Sequence, residues 1–145
     1  MLRDHTVAPA TLQEELAVDF FHNMGPDLAA FKANYRKRLA DDVAWETVGK
    51  PPRVGKQACL DYLDTLNHTT GMAYCEIIVH SLASRDGVVF TEREDRMLRA
   101  DGSLFMAFRV AGVVVVEDGL ITRYTDYLDL SPLTRQSHRP GQTMS

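Results

Sequence analysis

The stretch that decides the fold reads Val88-Val89-Phe90-Thr91-Glu92-Arg93-Glu94-Asp95-Arg96-Met97-Leu98. β-Branched and aromatic residues open it after the turn Asp86-Gly87, which predicts a β-strand. Because alternate side chains of a strand share one face, Arg93 and Asp95 lie on a face that is otherwise apolar at both ends. Such a pair is costly to bury unless its members form an ion pair with each other or bind a ligand. We therefore interpret the rest of the chain as the structure that encloses Arg93 and Asp95.

The totals are those of one ordinary globular domain: 145 residues, 45% hydrophobic and 25% charged. The net charge of -4 and the scattered basic residues argue against a nucleic-acid partner. No apolar run approaches the roughly 20 residues that span a bilayer, and the N-terminus lacks the apolar region of a signal peptide. We therefore expect a cytoplasmic protein without a membrane partner. Cys59 and Cys75 suggest neither a disulfide framework nor a metal site, and are expected to be small core residues.

The N-terminal half has the spacing of helices. Thr11-Leu12-Gln13-Glu14 matches a capping box, in which a threonine and a glutamate satisfy the first backbone donors of a helix. Apolar residues then recur at helical spacing. The two prolines and two glycines of residues 49–55 argue against regular structure there. The predicted elements are helices at about 12–23, 27–40 and 56–66, a strand at 43–48 and a loop at 49–55.

The hydrophobic period changes to two after Met72. Asp-Gly pairs, which are strong hairpin signals, separate predicted strands near 73–84, 88–99, 104–117 and 120–129. Helices followed by an antiparallel meander predict an α+β fold, in which a curved antiparallel or mixed sheet is closed into a cone by about three helices. Which face of the strand at 104–117 points inward is left open. We expect tails at 1–10 and 132–145 around a single domain at 11–131.

A second carboxylate completes a candidate site. The last strand places Tyr124, Asp126 and Leu128 on one face, whereas Asp129 falls on the other by strand parity. If Asp126 faces the cavity of Asp95, two carboxylates share an apolar space and one tends to keep its proton. One can then give a proton while the other takes one, and an arginine donating to both holds their geometry. The alternative is a structural ion pair that lines the cone.

Three stretches resemble the strands of limonene-1,2-epoxide hydrolases, a family within the nuclear-transport-factor-2-like, or SnoaL-like, superfamily of cone folds. They are residues 89–95, 98–100 and 117–130. The resemblance covers about residues 14–130. It is most specific in the motif Thr-Glu-Arg-x-Asp and in the ending Ile-Thr-x-x-x-Asp-Tyr-x-Asp-Leu, and residues 34–66 match only loosely.

The resemblance implies a one-step hydrolysis of a small lipophilic epoxide to a diol, without a metal, a cofactor or a covalent intermediate. An aspartate in the position of Asp126 takes a proton from water, which attacks an epoxide carbon. A protonated aspartate in the position of Asp95 donates to the epoxide oxygen, and the arginine in the position of Arg93 bridges the two. The resemblance also implies a homodimer.

The chain departs from the family on the first strand. The family has a tyrosine and an asparagine there that hold the nucleophilic water, and the matching positions are Trp45 and Thr47. The indole can only donate a hydrogen bond, whereas the threonine hydroxyl can donate and accept. Either Asp126, Thr47 and the indole hold the water together, or Trp45 narrows the pocket. Without a well-held water, an epoxide-opening cyclase or isomerase becomes an alternative, and a ligand-binding protein without catalysis is a further one.

The remaining candidate residues form the expected pocket wall. Trp45 and Thr47 are joined by Tyr124, which shares the face of Asp126 and is a candidate for hydrogen bonding to substrate. Apolar candidates for substrate contact are Met97, Val110 and Leu128, although core packing explains these side chains equally well.

Overall fold

The computed structural model describes residues 7–133 of the chain as three main helices and a six-stranded sheet. Residues 1–6 and 134–145, which make up most of the predicted tails, lie outside the described residues. No helix within residues 7–133 is long and apolar enough to cross a membrane. The elements are α1 (Leu12–His22), α2 (Leu28–Arg38), β1 (Leu39–Thr47), β2 (Arg53–Val54), α3 (Lys56–Thr70), β3 (Met72–Arg85), β4 (Val88–Arg99), β5 (Leu104–Glu117) and β6 (Leu120–Leu128).

The strands pair in the order β2-β1-β6-β5-β4-β3. Strands β3 to β6 form an antiparallel meander, whereas β1 pairs parallel with β6 and antiparallel with β2. In the turns Asp86-Gly87 and Asp118-Gly119 all four residues have positive φ, between 51° and 80°, which is the geometry that two-residue hairpins need. The predicted α+β fold, with a mixed sheet and about three helices in the N-terminal half, is confirmed.

The helices pack on the sheet face that carries Arg93 and Tyr124. Phe21 of α1 lies against the guanidinium of Arg93, and the ring of Phe20 meets that of Tyr124 edge-on at 5.4 Å. The same burial decides the inward face of β5, which the sequence left open. The buried residues of that strand alternate along it and are Met106, Phe108, Val110, Gly112, Val114 and Val116.

The end of α3 lies four residues beyond its predicted position at residue 66, which was wrong. The hydroxyls of Thr69 and Thr70 donate to the carbonyls four residues earlier, at 2.8 Å and 2.6 Å. Gly71 then ends the helix with φ of +80°, a left-handed conformation that favours glycine. These polar residues looked like a loop because side chains that bond the local backbone also occur in turns.

The expected loop at 49–55 contains the short strand β2, so the prediction of no regular structure was wrong. Arg53 and Val54 follow the two prolines and pair with Trp45 and Ala44 of β1. Strand β1 also begins at Leu39, earlier than the predicted residue 43, and α2 correspondingly ends at Arg38. Both corrections come from strand pairing across the fold, which local sequence does not encode.

We expect Phe20→Ala to lower the free energy of unfolding by about 3–5 kcal/mol, because Phe20 is fully buried against Tyr35 and Tyr124. Denaturant unfolding followed by circular dichroism measures this change. Leu12→Ala in the same helix is the matched control. Leu12 is 78% exposed, so its truncation should change the free energy by less than about 0.5 kcal/mol. Equal effects of the two substitutions would contradict this description of the core.

Candidate active site

A fully buried arginine lies at the centre of the candidate site. Arg93 of β4 donates from Nε and Nη2 to the two carboxylate oxygens of Asp95, at 3.0 Å and 2.8 Å. The same Nη2 donates to Oδ1 of Asp126 on β6 at 3.0 Å. The structure therefore brings together the three residues that the sequence suggested, although they lie on strands separated by β5. With both carboxylates ionised, the three groups together carry a charge of −1.

Two further contacts hold the guanidinium in place. Nη1 of Arg93 donates to the hydroxyl of Thr91 at 3.1 Å, and that hydroxyl donates to the carbonyl of Gly112 at 3.3 Å. The ring of Phe21 covers the guanidinium, with 4.2 Å between the guanidinium carbon and the ring centroid. Sequence reasoning missed both partners. Thr91 could have been found, because it shares a strand face with Arg93, but Phe21 lies on a distant helix without any such signal.

Gly112 makes room for the bridge. It lies opposite Thr91 on β4 and opposite Asp126 on β6. A Cβ at this position would lie 2.3 Å from Nη1 of Arg93 and 2.6 Å from Oδ1 of Asp126. A glycine inside a strand often marks such a close approach, and this was the signal in the sequence that its analysis did not use.

The electrostatics of Asp126 suit a group that exchanges protons. Burial raises the pKa of its carboxyl to about 6, because little water reaches the charge. The positive charge of Arg93 lowers this pKa, and the neighbouring Asp95 raises it. Asp126 is consequently ionised at neutral pH but remains basic enough to take a proton. Burial also raises the pKa of Tyr124, with the charge of Asp126 as the second cause, so its hydroxyl stays protonated.

A cavity of about 180 Å³ opens beside the two carboxylates. Its walls come from the sheet and from the helices, and they are mostly apolar. Arg93 lies behind the wall, and Leu133, within the predicted C-terminal tail, contributes to it. The other eight residues proposed from the sequence all line the cavity, and they are Trp45, Thr47, Asp95, Met97, Val110, Tyr124, Asp126 and Leu128.

Trp45 and Thr47, which stand where the resemblance implies a tyrosine and an asparagine, lie beside Tyr124 and Asp126. The parallel register of β1 and β6 places Trp45 opposite Tyr124 and Thr47 opposite Asp126. The Trp45 ring stacks on Tyr124, with 5.3 Å between centroids and 8° between planes. Its Nε1 is buried and has no acceptor among the described residues. Sequence reasoning missed Arg53, which donates from Nη2 to the Thr47 hydroxyl at 3.2 Å.

The arrangement can move protons onto and off a small bound molecule. Two carboxylates held by one arginine reach an apolar space, where charge on either is strongly coupled to charge on the other. Within residues 7–133, no group of three or more histidine, cysteine, aspartate or glutamate side chains is placed to hold a metal ion.

Comparisons with known proteins find epoxide hydrolases among those that the chain resembles. The curated epoxide hydrolase EphG of Mycobacterium tuberculosis is 33% identical over 92 residues, which are 63% of this chain and 58% of that protein. The chain thus spans less than two thirds of that relative. The structure of an LEH-like epoxide hydrolase of M. tuberculosis matches with a TM-score of 0.67 and 26% identity, over 83% of this chain and 85% of that one.

More distant structures share the fold alone. A protein from Jannaschia, named as a SnoaL-like polyketide cyclase, matches with a TM-score of 0.71 at 11% identity, over 92% of this chain and all of that one.

The family model of the limonene-1,2-epoxide hydrolase catalytic domain matches residues 17–139. That range contains the arginine, both aspartates and every other proposed site residue. The chain therefore belongs to the limonene-1,2-epoxide hydrolase family.

Proposed function

We propose that the protein is an epoxide hydrolase of the limonene-1,2-epoxide hydrolase type, which opens a small lipophilic epoxide to a diol without a cofactor. The observation that carries the proposal is the bridge from Arg93 to Asp95 and Asp126 beside an apolar cavity. Family membership supports it independently. The cavity, at about 180 Å³, is smaller than the roughly 300–1,000 Å³ of pockets for drug-sized ligands, which suits a small substrate.

The proposed reaction is a single concerted step. The carboxylate of Asp126 takes one proton from water as the water oxygen bonds to an epoxide carbon. The bond between that carbon and the ring oxygen breaks, and Asp95 gives its proton to the leaving oxygen. Arg93 stays protonated throughout, and its hydrogen bonds hold the two carboxylates in place relative to each other. After the diol leaves, the proton on Asp126 returns to Asp95 through solvent, so that Asp95 is again the acid and Asp126 the base.

Two features support Asp126 as the base. Its Oδ2 receives no hydrogen bond from any described side chain, so this oxygen is available to a water proton. Its pKa of about 6 lies near neutral pH, where a general base is most effective. The proposal also requires that Asp95 carries the shared proton once the epoxide is bound.

The water is proposed to lie between Asp126, Thr47 and Trp45. Thr47 is the strand neighbour of Asp126, and both side chains line the cavity. The buried Nε1 of Trp45 offers a donor that no described residue occupies. Tyr124, Met97, Val110 and Leu128 are then proposed to contact the substrate from the remaining wall.

An epoxide-opening cyclase or isomerase is the second candidate. The observation that favours it is the stacked Trp45 in place of a tyrosine, because an indole cannot accept a hydrogen bond from water. In such an enzyme a hydroxyl of the substrate would attack the epoxide carbon, and Asp126 would take the proton of that hydroxyl. The acid/base roles would otherwise be the same.

The protein is also proposed to be a homodimer, as its family resemblance implies. Phe90 and Tyr127 are 51% and 49% exposed on the sheet face opposite the cavity. Val113 lies between their strands, in register with Phe90. These side chains form an apolar patch on a face that also carries Glu92 and Arg109, and exposed patches rimmed by polar residues are typical of subunit contacts.

We expect turnover of a panel of small terpene-like and aryl epoxides in ¹⁸O-labelled water to give diols with one labelled oxygen. Asp95→Asn and Asp126→Asn should each lower kcat at least about 100-fold while circular dichroism shows the fold intact. Asp118→Asn in an exposed turn is the matched control, because asparagine tolerates its positive φ. Full activity of either site variant would remove the acid/base assignment, and an unlabelled cyclic ether would identify a cyclase.

We expect kcat/KM to fall about tenfold per pH unit below about pH 6, because protonated Asp126 cannot take a proton from water. The acid limb follows from the raised pKa of this carboxyl, and activity rises as pH passes through it. A basic limb would report loss of the single proton that the pair carries in its active form. Circular dichroism at each pH separates inactivation from unfolding. A folded enzyme whose activity is flat between pH 5 and 7 would contradict Asp126 as the base.

We expect Phe90→Lys combined with Tyr127→Lys to convert a dimer into a monomer, because buried lysines would lose their hydration. Size-exclusion chromatography with light scattering measures the mass. Leu12→Lys, at an exposed residue of α1, is the control and should leave the dimer intact. A wild-type protein that is monomeric, or a dimer that survives both lysines, would rule out this face.

A further inference from the structure

Arg53 is an unusual cation next to the candidate site. It lies on β2 opposite Trp45, and its guanidinium carbon is 4.1 Å from the ring centroids of both Trp45 and Tyr62. No carboxylate of the described residues forms an ion pair with it. Its Nε is buried without an acceptor among those residues. Within residues 7–133, two aromatic rings and one hydroxyl thus hold a positive charge that has no direct counterion.

The two rings restrict how the guanidinium can move. The planes of these two rings meet at 84°, with 5.3 Å between their centroids, so the guanidinium lies in the corner that they form. Contact with both rings limits the rotation of its donor groups. Nη2 is thereby directed at the hydroxyl oxygen of Thr47, at 3.2 Å. The contact is between a rigid donor and the one polar side chain of β1 that lies beside Asp126.

This contact determines what the Thr47 hydroxyl offers to the cavity. A hydroxyl has two lone pairs and one hydrogen, and Arg53 occupies one lone pair. The other lone pair remains for a molecule in the cavity. A water that donates one hydrogen to Asp126 and the other to Thr47 has its own lone pair free to attack.

We propose, on the basis of the proposed hydrolase function, that Arg53 is a positioning residue that fixes the Thr47 hydroxyl so that it holds the attacking water at Asp126. Arg53 is not among the residues that line the cavity. It therefore acts through Thr47 and does not contact the substrate.

The charge of Arg53 has a second effect at the same place. Burial raises the pKa of Asp126, and the charges of Arg93 and, less strongly, Arg53 lower it. Removing Arg53 therefore raises this pKa and moves the acid limb of activity to higher pH. The titratable and charged groups around Asp126 are Arg93 and Asp95 from β4, Arg53 from β2, Tyr35 from α2, Cys75 from β3, Tyr124 from β6 and Lys50 at the cavity.

A double-mutant cycle tests the proposal. We expect Arg53→Met and Thr47→Val each to lower kcat about 10- to 100-fold with little change in KM, because the water loses its fixed position. The double variant should lie within about threefold of Thr47→Val alone, since both substitutions remove one interaction. Arg53→Lys keeps the positive charge but loses the planar donor geometry of the guanidinium. The acid limb of its pH profile should therefore lie where it does in the wild type, while kcat stays low.

Arg85→Met, at an arginine that is almost fully exposed, is the control and should leave kcat and the pH profile unchanged. If the two losses multiply in the double variant, Arg53 does not act through Thr47 and the inference is wrong. An Arg53→Met variant that does not fold is replaced by Arg53→Lys in the cycle. If Asp126→Asn loses activity and Arg53→Met does not, the positioning role of Arg53 is wrong and the proposed hydrolase function still stands.

The inference stays testable if the wild-type protein opens no epoxide. The titration of Asp126 is then followed by its carboxyl ¹³C shift in the wild type and in Arg53→Met. An unchanged midpoint overturns the role of Arg53. A midpoint shifted to higher pH keeps Arg53 as a group that acts on Asp126, and only the epoxide chemistry is rejected.

Discussion

A buried arginine needs acceptors for its donors, and in this protein that requirement connects β4 with β6, which are separated in the sheet by β5. An unpaired charge in the interior costs several kcal/mol, so Arg93 can occupy its place only with Asp95, Asp126 and Thr91 around it. Asp126 comes from the last strand, and β5 must therefore lie between β4 and β6 at the register that brings these groups together. The meander is thus held by its polar centre as well as by its apolar walls.

The reactivity of the site comes from opposing effects of the same surroundings. Apolar walls and burial raise the pKa of Asp126, while two arginines oppose the rise, one by contact and one from behind Thr47. Neither effect alone would give a base that is ionised at neutral pH and still accepts a proton. The apolar lining that suits a lipophilic molecule therefore also raises the proton affinity of Asp126.

Local patterns predicted the parts of this protein that depend on local chemistry. The period of two placed Arg93 and Asp95 on one face, and Asp-Gly turns placed the strands of the meander with bounds that agree within two residues. The alternation of side chains along the last strand predicted that Asp126 faces the cavity and that Asp129 lies on the opposite face. By contrast, strand β2 forms only because β1 offers an edge to Arg53, and Phe21 reaches Arg93 only after the helix docks. No spacing along the chain encodes contacts of that kind.

Gly112 has a meaning for other chains of this fold. The space that it leaves is filled by the guanidinium and a carboxylate, and one methyl group would occupy it. In a homologous chain with a side chain at this position, the guanidinium, the carboxylate or both must shift from the positions that they have here. The position thus separates relatives that can hold the bridge in the geometry seen here from those that need a different geometry. A sequence reader can apply that criterion without any structure.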